Sequence, residues 1–471
     1  MANFRGTPGN DDIAGSDNGD VILGLAGNDT LFGEAGDDLI IGGPGKDTIS
    51  GGLGADTIDG LRGSGRSFPD YDQIDYSIGD EPIIYGANVN LAAGWVIDPY
   101  GFTDTLIDIE GAAGTSWLDI LVGGNPDNDD YEAFFGYDGY DTIDGGSGID
   151  EARYDRDVDY GGNEGITALL RSYFVDDGFG YSDHVQNVEI IRATQFRDFL
   201  AGDAGDNTFR GLGGSDVMIG GNGDDRADYS LDLMYGGQNG VSVNLFKGRG
   251  TDGFGRSDRY KSIEDVTGTK MNDFLFGSRD DNNMIGGGGE DTINGYNGDD
   301  ELFGNNGDDS IVGGAGNDSL YGGNGADSLD GGDDDDILLG GNDDDTLLGG
   351  DGDDWLDGGD GLDVLNGGAG NDTFAFDTPA LGTDTIQDFA GGEDQVAIES
   401  DGFGGVTLLV EGVNFIEGHR GASAEETPTF LYSQDRGNLW FDVDGTGDAA
   451  PVLFANLLNS PHLHASDFVI V

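Results

Sequence analysis

Cysteine is absent from the 471-residue chain, so no disulfide can cross-link it. Positive charge is scarce, since 20 Lys and Arg stand against 93 Asp and Glu for a net charge of −73. That charge disfavours binding to a nucleic-acid backbone. Long apolar runs are missing as well, so we expect no membrane span. The first residues lack the apolar core of a secretory signal peptide.

Apolar residues make up only 36% of the chain, whereas glycine is abundant, with 91 residues. By composition alone, a chain this acidic and glycine-rich would repel itself and remain disordered. Folding therefore requires an external partner that cancels the charge. Multivalent cations are the obvious candidates.

A nine-residue period runs through much of the chain. Each repeat places an Asp after a glycine-rich stretch and an apolar residue two positions later, as in Asp47 and Ile49. The pattern predicts a three-residue strand around the apolar residue and a six-residue turn that ends at the Asp. One repeat cannot bury its single apolar residue, whereas stacked repeats share a continuous core. The same stacking is expected to place the Asp carboxylates in columns on the outside.

Stacked carboxylates repel one another unless a hard cation lies between them. Carboxylate and carbonyl oxygens, without Cys or His, favour several Ca²⁺ ions over zinc or copper. The predicted calcium ligands are the repeat aspartates Asp11, Asp20, Asp29, Asp38, Asp47, Asp56, Asp141, Asp150, Asp216, Asp225, Asp291, Asp300, Asp309, Asp318, Asp327, Asp336, Asp345, Asp354, Asp363 and Asp372.

The repeat Gly-Gly-x-Gly-x-Asp, as in Gly42 to Asp47, resembles the nonapeptide of the RTX (repeats-in-toxin, hemolysin-type) calcium-binding family. The resemblance implies an all-β fold, a right-handed parallel β-roll solenoid in which two nonapeptides form one turn. It also implies that each Ca²⁺ lies between successive turns, held by Asp side chains and glycine-loop carbonyls.

Three non-repetitive spacers interrupt the repeats and share the pattern Asp-x5-Glu-x8-Asp, as in Asp104, Glu110 and Asp119. The last Asp of each spacer rejoins the nine-residue period, so we expect the spacers to be extra β-strands and loops on the solenoid. The predicted organisation is an N-terminal β-roll over 1–60, a first spacer with a short repeat stretch over 61–150, a second spacer with repeats over 151–225, a third spacer over 226–276, the main β-roll over 277–373 and a C-terminal segment over 374–471.

Apolar and aromatic residues alternate in the C-terminal segment, which predicts a β-sandwich-like cap over the last layer of the solenoid. The segment resembles the C-terminal module of serralysin-type secreted proteins. That resemblance implies an uncleaved type I secretion signal at the extreme C-terminus and a secreted protein, extracellular or on the cell surface.

Residues 151–280 hold 14 of the 20 basic residues. In one interpretation they form a groove for an acidic polysaccharide. In the other they replace Ca²⁺ where the Asp columns are interrupted, or pair with local acids. A uronate lyase or epimerase would need a cation and a proton-transferring side chain. The candidates for such a catalytic site are Tyr181, His184, Arg192 and Arg197.

No His-Glu-x-x-His or Gly-x-Ser-x-Gly motif occurs, so no catalytic domain of a known RTX enzyme is recognised. No cofactor besides Ca²⁺ is expected. Because repeats and cap account for most of the chain, the sequence favours a structural, surface-layer, matrix or adhesive protein, with the uronate lyase or epimerase as the alternative. Its expected partners are calcium, copies of itself in a lattice or filament, or an acidic surface polysaccharide.

Overall fold

The structure is a computed structural model, and it describes residues 2–61, 71–77, 83, 85–124, 131–379, 381–410, 412, 414–417, 427–445 and 450–471. The chain forms two compact units, the first of Met1–Ala227 and Arg256–Ile263, the second of Asp228–Gly255 and Glu264–Val471. Each unit is built of short parallel β-strands stacked as a solenoid, which confirms the predicted fold class.

In the first unit the strands are mostly three to five residues long. They are Asn3–Arg5, Asp12–Ser16, Val21–Leu23, Thr30–Glu34, Leu39–Ile41, Thr48–Ser50, Thr57–Asp59, Gln73–Asp75, Asn88–Asn90, Trp95–Ile97, Thr103–Ile107, Gly111–Ala113, Ile120–Val122, Tyr131–Phe135, Thr142–Asp144, Ile149–Arg153, Thr167–Leu169, Phe174–Asp176, Ser182–Gln186, Ile190–Arg192, Phe199–Ala201, Thr208–Arg210, Val217–Ile219 and Ser257–Lys261. The strand Arg226–Asp228 lies at the boundary between the units.

The strands of the second unit are Ser242–Asn244, Arg249–Thr251, Asp265–Thr267, Phe274–Phe276, Asn283–Gly288, Thr292–Asn297, Glu301–Asn306, Ser310–Ala315, Ser319–Asn324, Ser328–Asp333, Ile337–Asn342, Thr346–Asp351, Trp355–Asp360, Val364–Ala369, Thr373–Phe376, Asp384–Ile386, Gln395–Ile398, Phe415–Glu417, Thr429–Ser433, Asn438–Asp442, Val452–Leu457 and Phe468–Ile470. Among the described residues, helix is confined to one α-helical turn, Asp157–Tyr160, and the 3-10 turns Leu170–Ser172 and Ala465–Asp467. None of the helices described could span a membrane.

Each strand pairs in parallel with the strand one full turn later, while the intervening strand belongs to the opposite sheet. Leu302 lies opposite Leu320 in one sheet, and Ile293 lies opposite Ile311 in the other. All four side chains are fully buried. One turn of the solenoid is therefore two nonapeptides, and the apolar residue of each repeat forms the core.

The strands of the main β-roll are six residues long, twice the predicted length. Their ladder continues past the apolar triplet into the turns, where Gly323 lies opposite Gly341. A side chain at Gly341 would collide with the backbone, because its Cβ would lie 2.2 Å from the carbonyl oxygen of Gly323. Glycine thus lets the turns stack as closely as the strands do, with their backbone groups paired.

The first two spacers are antiparallel insertions in the solenoid of the first unit. In the second spacer, Thr167–Leu169, Phe174–Asp176 and Ser182–Gln186 form a meander. Its first strand then pairs in parallel with Phe199–Ala201, and its third strand pairs with Thr142–Asp144. The first spacer repeats this arrangement. The expected extra strands are thus present, and both edges of each meander rejoin the parallel ladder.

The C-terminal segment adds strands to both sheets of the second unit. In one sheet, Thr373–Phe376 pairs in parallel with Gln395–Ile398, which pairs with Phe468–Ile470. The other sheet ends in an antiparallel meander of Thr429–Ser433, Asn438–Asp442 and Val452–Leu457. Buried phenylalanine rings fill the space beside the meander, with ring centroids 5.0–5.4 Å apart: Phe403, Phe430, Phe441 and Phe454. These apolar layers cover the last turn of the roll.

Candidate calcium sites

The repeat aspartates of the main β-roll are buried, not directed outward as the sequence suggested. Asp309 and Asp327 are each only 2% exposed. The reason is a backbone contact, since the amide N–H of Asp309 donates to Oδ1 of Asp327 over 2.7 Å. Asp327 N–H in turn donates to Oδ1 of Asp345, also over 2.7 Å. Each carboxylate therefore turns back onto the preceding layer of the solenoid.

The second carboxylate oxygen has no such partner. In the main β-roll the Oδ2 atoms of nine successive repeats are buried without a hydrogen bond: Asp291, Asp300, Asp309, Asp318, Asp327, Asp336, Asp345, Asp354 and Asp363. Burial raises the pKa of Asp345 to about 8, and the neighbouring carboxylates Asp327 and Asp363 add to the shift. A buried ionised carboxylate is costly unless it is paired or binds a metal ion. These carboxylates therefore favour either a proton or a bound metal ion.

Backbone oxygens lie close to the unpartnered carboxylate oxygens. A Cβ built on Gly331 would lie 2.3 Å from Oδ2 of Asp336 and 2.7 Å from the carbonyl oxygen of Gly349. Both oxygens therefore approach the same point from adjacent turns, and only glycine leaves room there. Carboxylate and carbonyl oxygens from flexible loops are the donor set that Ca²⁺ prefers.

Within the described ranges, no group of three or more acidic or histidine side chains is arranged to hold an ion by itself. Carbonyl oxygens of the glycine turns would therefore have to complete each site. That Asp side chains and glycine-loop carbonyls share each ion stays a prediction.

The ends of the Asp columns differ from the middle. Asp11 is partly exposed, and its Oδ2 accepts hydrogen bonds from the N–H and hydroxyl of Thr7. Oδ2 of Asp20 accepts from the N–H and hydroxyl of Ser16. Asp372 closes the repeats, and its N–H donates to Asp394 over 3.1 Å. The predicted ligands are therefore not equivalent, because those at the N-terminal end already have protein donors.

The first Asp and the Glu of the spacer pattern Asp-x5-Glu-x8-Asp also continue the columns, which the sequence prediction missed. The N–H of Asp141 donates to Oδ1 of Asp183 over 3.0 Å, as one repeat Asp does to the next. The N–H of Asp150 donates to Glu189 of the other column over 2.9 Å. The N–H of Asp198 then donates to Asp216 over 2.8 Å, eighteen residues on. The spacing of the pattern was the available signal, because its two types of acid alternate between the columns.

The same kind of backbone-to-carboxylate contact recurs at the other two spacers and in the cap. In each contact the backbone N–H of one residue donates to the carboxylate of a later one. The pairs, donor first, are Asp56 and Asp104, Asp72 and Glu110, Asp216 and Asp258, Asp363 and Asp384, and Asp372 and Asp394. The two carboxylate columns are therefore longer than the nonapeptides alone.

A family model of the RTX calcium-binding nonapeptide repeat matches residues 5–40, 32–66, 192–227, 267–302, 303–338 and 339–374. The chain carries RTX calcium-binding repeats. The last three matches cover the whole of the main β-roll, where the unpartnered Oδ2 atoms are most regular. The RTX repeats therefore support Ca²⁺ as the ion that the chain binds. The search of curated proteins finds no match to this chain.

Several basic residues of the 151–280 region pair with buried acids. Arg192 binds Glu151 through two nitrogens, at 3.0 and 2.7 Å, and Arg210 binds the same carboxylate at 2.6 Å. Arg153 makes a bidentate pair with Asp155 at 3.0 and 2.9 Å. These contacts agree with the interpretation that the cations pair with local acids.

The four candidate catalytic residues do not form one cluster. Arg192 lies in the sheet opposite that of His184 and is 9% exposed. His184 instead lies beside two exposed rings, with centroid distances of 6.0 Å to Tyr173 and 6.1 Å to Phe174. Tyr181 contacts Tyr140 edge-on at 4.9 Å, and Arg197 is exposed. A catalytic role for these residues remains a prediction.

Proposed function

We propose that this chain is a secreted protein whose solenoid forms when the RTX repeats bind Ca²⁺ outside the cell. The observation that carries the proposal is the run of buried, unpartnered Oδ2 atoms in a chain of net charge −73. Without cations, repulsion and desolvation oppose folding. Calcium sites of extracellular modules often bind at about 10⁻⁴–10⁻³ M. Binding free energy then becomes folding free energy on export.

The proposed route of export is type I secretion, with the signal at the end of the C-terminal segment. A chain that stays unfolded at low cytosolic calcium remains competent for export. Beyond that, we propose a structural role as a surface-layer, matrix or adhesive component. Support comes from the architecture, because the repeats, the first two spacers and the cap strands all extend solenoid sheets.

Circular dichroism of the full chain during a calcium titration tests the folding step. The β-sheet signal should appear cooperatively on adding Ca²⁺ and disappear with chelator. A strong β-sheet signal that resists chelation would contradict the proposal. Electron microscopy at millimolar Ca²⁺ tests the structural role separately, since sheets or filaments would support it and isolated particles would count against it.

An exposed aromatic surface favours a second candidate, a protein that binds or cleaves an acidic polysaccharide. Tyr173 and Phe174 are each half exposed, and Tyr181 is 38% exposed. Aromatic faces of this kind can stack on sugar rings, and the exposed Arg197 could supply a positive charge to a uronate. His184 Nδ1 is buried without a hydrogen-bond partner.

Alginate and related polyuronates are the probes for this second candidate. Binding should weaken as salt rises, because exposed charges are screened. Tyr181→Phe and Arg197→Ala should reduce binding or cleavage without changing the calcium midpoint of folding. Arg192→Ala should instead lower thermal stability, since it breaks the buried pair with Glu151. Failure of the wild-type protein to bind or cleave polyuronates would eliminate this candidate.

A further inference from the structure

The first two spacers contain a tight turn of seven residues that begins and ends with Asp. The turns are Asp98 to Asp104 and Asp177 to Asp183, and both fit the pattern Asp-x-aromatic-Gly-x-Thr/Ser-Asp. The same pattern recurs from Asp252 to Asp258 in the third spacer. We call the first two segments the spacer turns. They replace the glycine turn of an ordinary RTX repeat, because Asp104 and Asp183 continue an Asp column.

The first Asp of each spacer turn uses only one carboxylate oxygen. Oδ1 of Asp177 accepts from the backbone N–H of Phe179 at 3.0 Å and of Tyr181 at 2.7 Å. Asp98 makes the equivalent two bonds at 3.0 and 2.7 Å. These bonds account for the turn, and an Asn would make them equally well. The negative charge is therefore not explained by the turn.

The second oxygen of each turn Asp is buried and has no partner. Asp98 is 1% exposed and Asp177 is 2% exposed, and Oδ2 of each lacks a hydrogen bond. Oδ2 of the preceding repeat Asp, Asp56 or Asp141, is likewise buried and unpartnered. Two orphaned carboxylate oxygens thus occur at each spacer turn, at a position where an ordinary repeat supplies one.

Backbone contacts place each turn Asp beside the Asp column. The N–H of Asp177 donates to the carbonyl oxygen of Tyr181 over 2.9 Å, and the N–H of Asp141 donates to Oδ1 of Asp183 over 3.0 Å. The first spacer has the equivalent contacts. The turn Asp and the two column aspartates therefore lie on adjoining stretches of backbone.

Tyrosine holds the last member of each cluster in place. The hydroxyl of Tyr154 donates to Oδ2 of Asp183 over 3.2 Å, and that of Tyr76 donates to Oδ2 of Asp104 over 3.1 Å. Both hydroxyls lie on buried rings. Asp104 and Asp183 therefore have the same hydrogen-bonded orientation, although they belong to separate segments of the chain.

We propose that each spacer turn forms a divalent-cation site of a second kind, in which the turn Asp adds a carboxylate to the pair from the Asp column. The second-spacer site would comprise Asp141, Asp177 and Asp183, and the first-spacer site Asp56, Asp98 and Asp104. These carboxylates do not form a closed three-ligand group in this structure. Ion binding therefore has to draw the unpartnered Oδ2 atoms inward, with backbone carbonyls completing the shell.

Hard oxygen ligands select Ca²⁺, and affinity rises with the number of charged ligands. The spacer sites should therefore bind Ca²⁺ more tightly than the nonapeptide sites, which rely more on carbonyls. As calcium rises they should fill first. The spacers would then order the first unit before the ordinary repeats are saturated.

The test counts bound Ca²⁺ in the full chain by equilibrium dialysis and elemental analysis over a range of free calcium. Asp98→Asn with Asp177→Asn should keep the turn bonds but lose the tightest class of sites, one ion fewer per substituted turn. Asp108→Asn with Asp176→Asn is the matched control, because both residues are exposed and the charge change is the same. An unchanged count and affinity in the turn variant would overturn the proposal.

Terbium luminescence gives a second measurement that leaves every carboxylate intact. At substoichiometric Tb³⁺, emission excited through tyrosine should be lower in Tyr76→Phe with Tyr154→Phe than in wild type, because these rings adjoin the proposed sites. Unchanged emission would count against the sites. Failure of calcium binding by the RTX repeats themselves looks different, since the wild-type ion count would then collapse as well.

Discussion

At Asp327 the two carboxylate oxygens have different surroundings. Oδ1 accepts the backbone N–H of Asp309, whereas Oδ2 is buried and unpartnered. Asn at this position would retain the first contact and lose the charge, and Ala would lose both. The residue therefore links the folding of one layer to the binding of an ion.

Replacing Asp327 with Ala should raise the calcium midpoint of folding more than Asp372→Ala. A lost hydrogen bond to a charged group costs about 2 kcal/mol, and a mid-stack defect uncouples the layers on both sides. Asp372 lies at the end of the repeats and affects fewer layers. Calcium titrations followed by circular dichroism measure both midpoints, with Asp327→Asn isolating the charge. Equal shifts for the two alanine variants would argue against a cooperative stack.

The glycine that opens each repeat is predicted to tolerate no side chain. Gly331→Ala would place Cβ 2.3 Å from Asp336 Oδ2 and 2.7 Å from the Gly349 carbonyl. We expect a destabilisation of about 1–3 kcal/mol from overpacking and a raised calcium midpoint. Gly205→Ala is the control, because its Cβ would meet only Asp203 Oδ1, at 3.7 Å. Identical melting curves for the two variants would contradict the proposed close packing of oxygen atoms around Gly331.

At the level of the element, the six-residue strands of the main β-roll bring carboxylates of successive layers together. Burial raises the pKa of Asp291, Asp336 and Asp345 to about 8 each, from an ordinary value of 3.8. Hydrogen bonds from the preceding layer lower these pKa values but do not offset burial. The ladder is thus held in a state that favours either a proton or a metal ion on each carboxylate.

This has a consequence for pH in the absence of calcium. A carboxyl group whose pKa is higher in the folded state than in the unfolded state binds protons more tightly when folded. Stability of the calcium-free chain should therefore increase as pH falls from about 8 toward 4, and decrease as pH rises. Circular dichroism in chelator should show more β-sheet at pH 5 than at pH 8, with light scattering to check for aggregation. More β-sheet at pH 8 than at pH 5 would contradict the predicted direction of the pH dependence.

Calcium should also displace these protons. In weakly buffered solution near pH 5, where protonation favours the folded state, adding Ca²⁺ to the calcium-free chain is expected to release protons, because the metal requires ionised carboxylates. Calorimetry in buffers of different ionisation enthalpy measures the number released. No proton release near this pH would mean that the buried carboxylates were already ionised before binding.

For the whole molecule, the dominant quantity is the net charge of −73. Screening by salt alone weakens this repulsion but leaves each buried Oδ2 without a ligand. The ion must therefore enter the solenoid, which makes its size and coordination matter as well as its charge.

Magnesium should not replace calcium at equal concentration. Mg²⁺ demands near-octahedral geometry and loses water reluctantly, whereas the RTX turns offer carbonyl and carboxylate oxygens in an irregular arrangement. We expect millimolar Mg²⁺ to leave the β-sheet signal near its calcium-free level. Thermal melts and circular dichroism at matched ionic strength provide the comparison. Folding at the same Mg²⁺ and Ca²⁺ concentrations would show that general charge neutralisation is sufficient.

The nine-residue period was enough to predict the solenoid, because a repeated local pattern imposes one translation on every layer. Ile293 and Leu302 could therefore be placed in the core, and the repeat aspartates in columns, from spacing alone. Carboxylate and carbonyl donors then led to calcium. The predicted six-residue turn was wrong for the main β-roll, since stacked glycines allow the strand ladder to extend through it.

Only the tertiary structure decided which segments without a shared local pattern contact one another. Asp141 meets Asp183 across 42 residues, and Arg192 meets Glu151 across 41. The number of residues that separate two such partners cannot be read from the local sequence pattern around either of them. Burial of the carboxylates was also a tertiary outcome, because it depends on a backbone N–H from the preceding layer. The sequence thus determined which layer of the solenoid each repeat forms. The stacking of the layers determined the burial and the hydrogen bonds of each carboxylate.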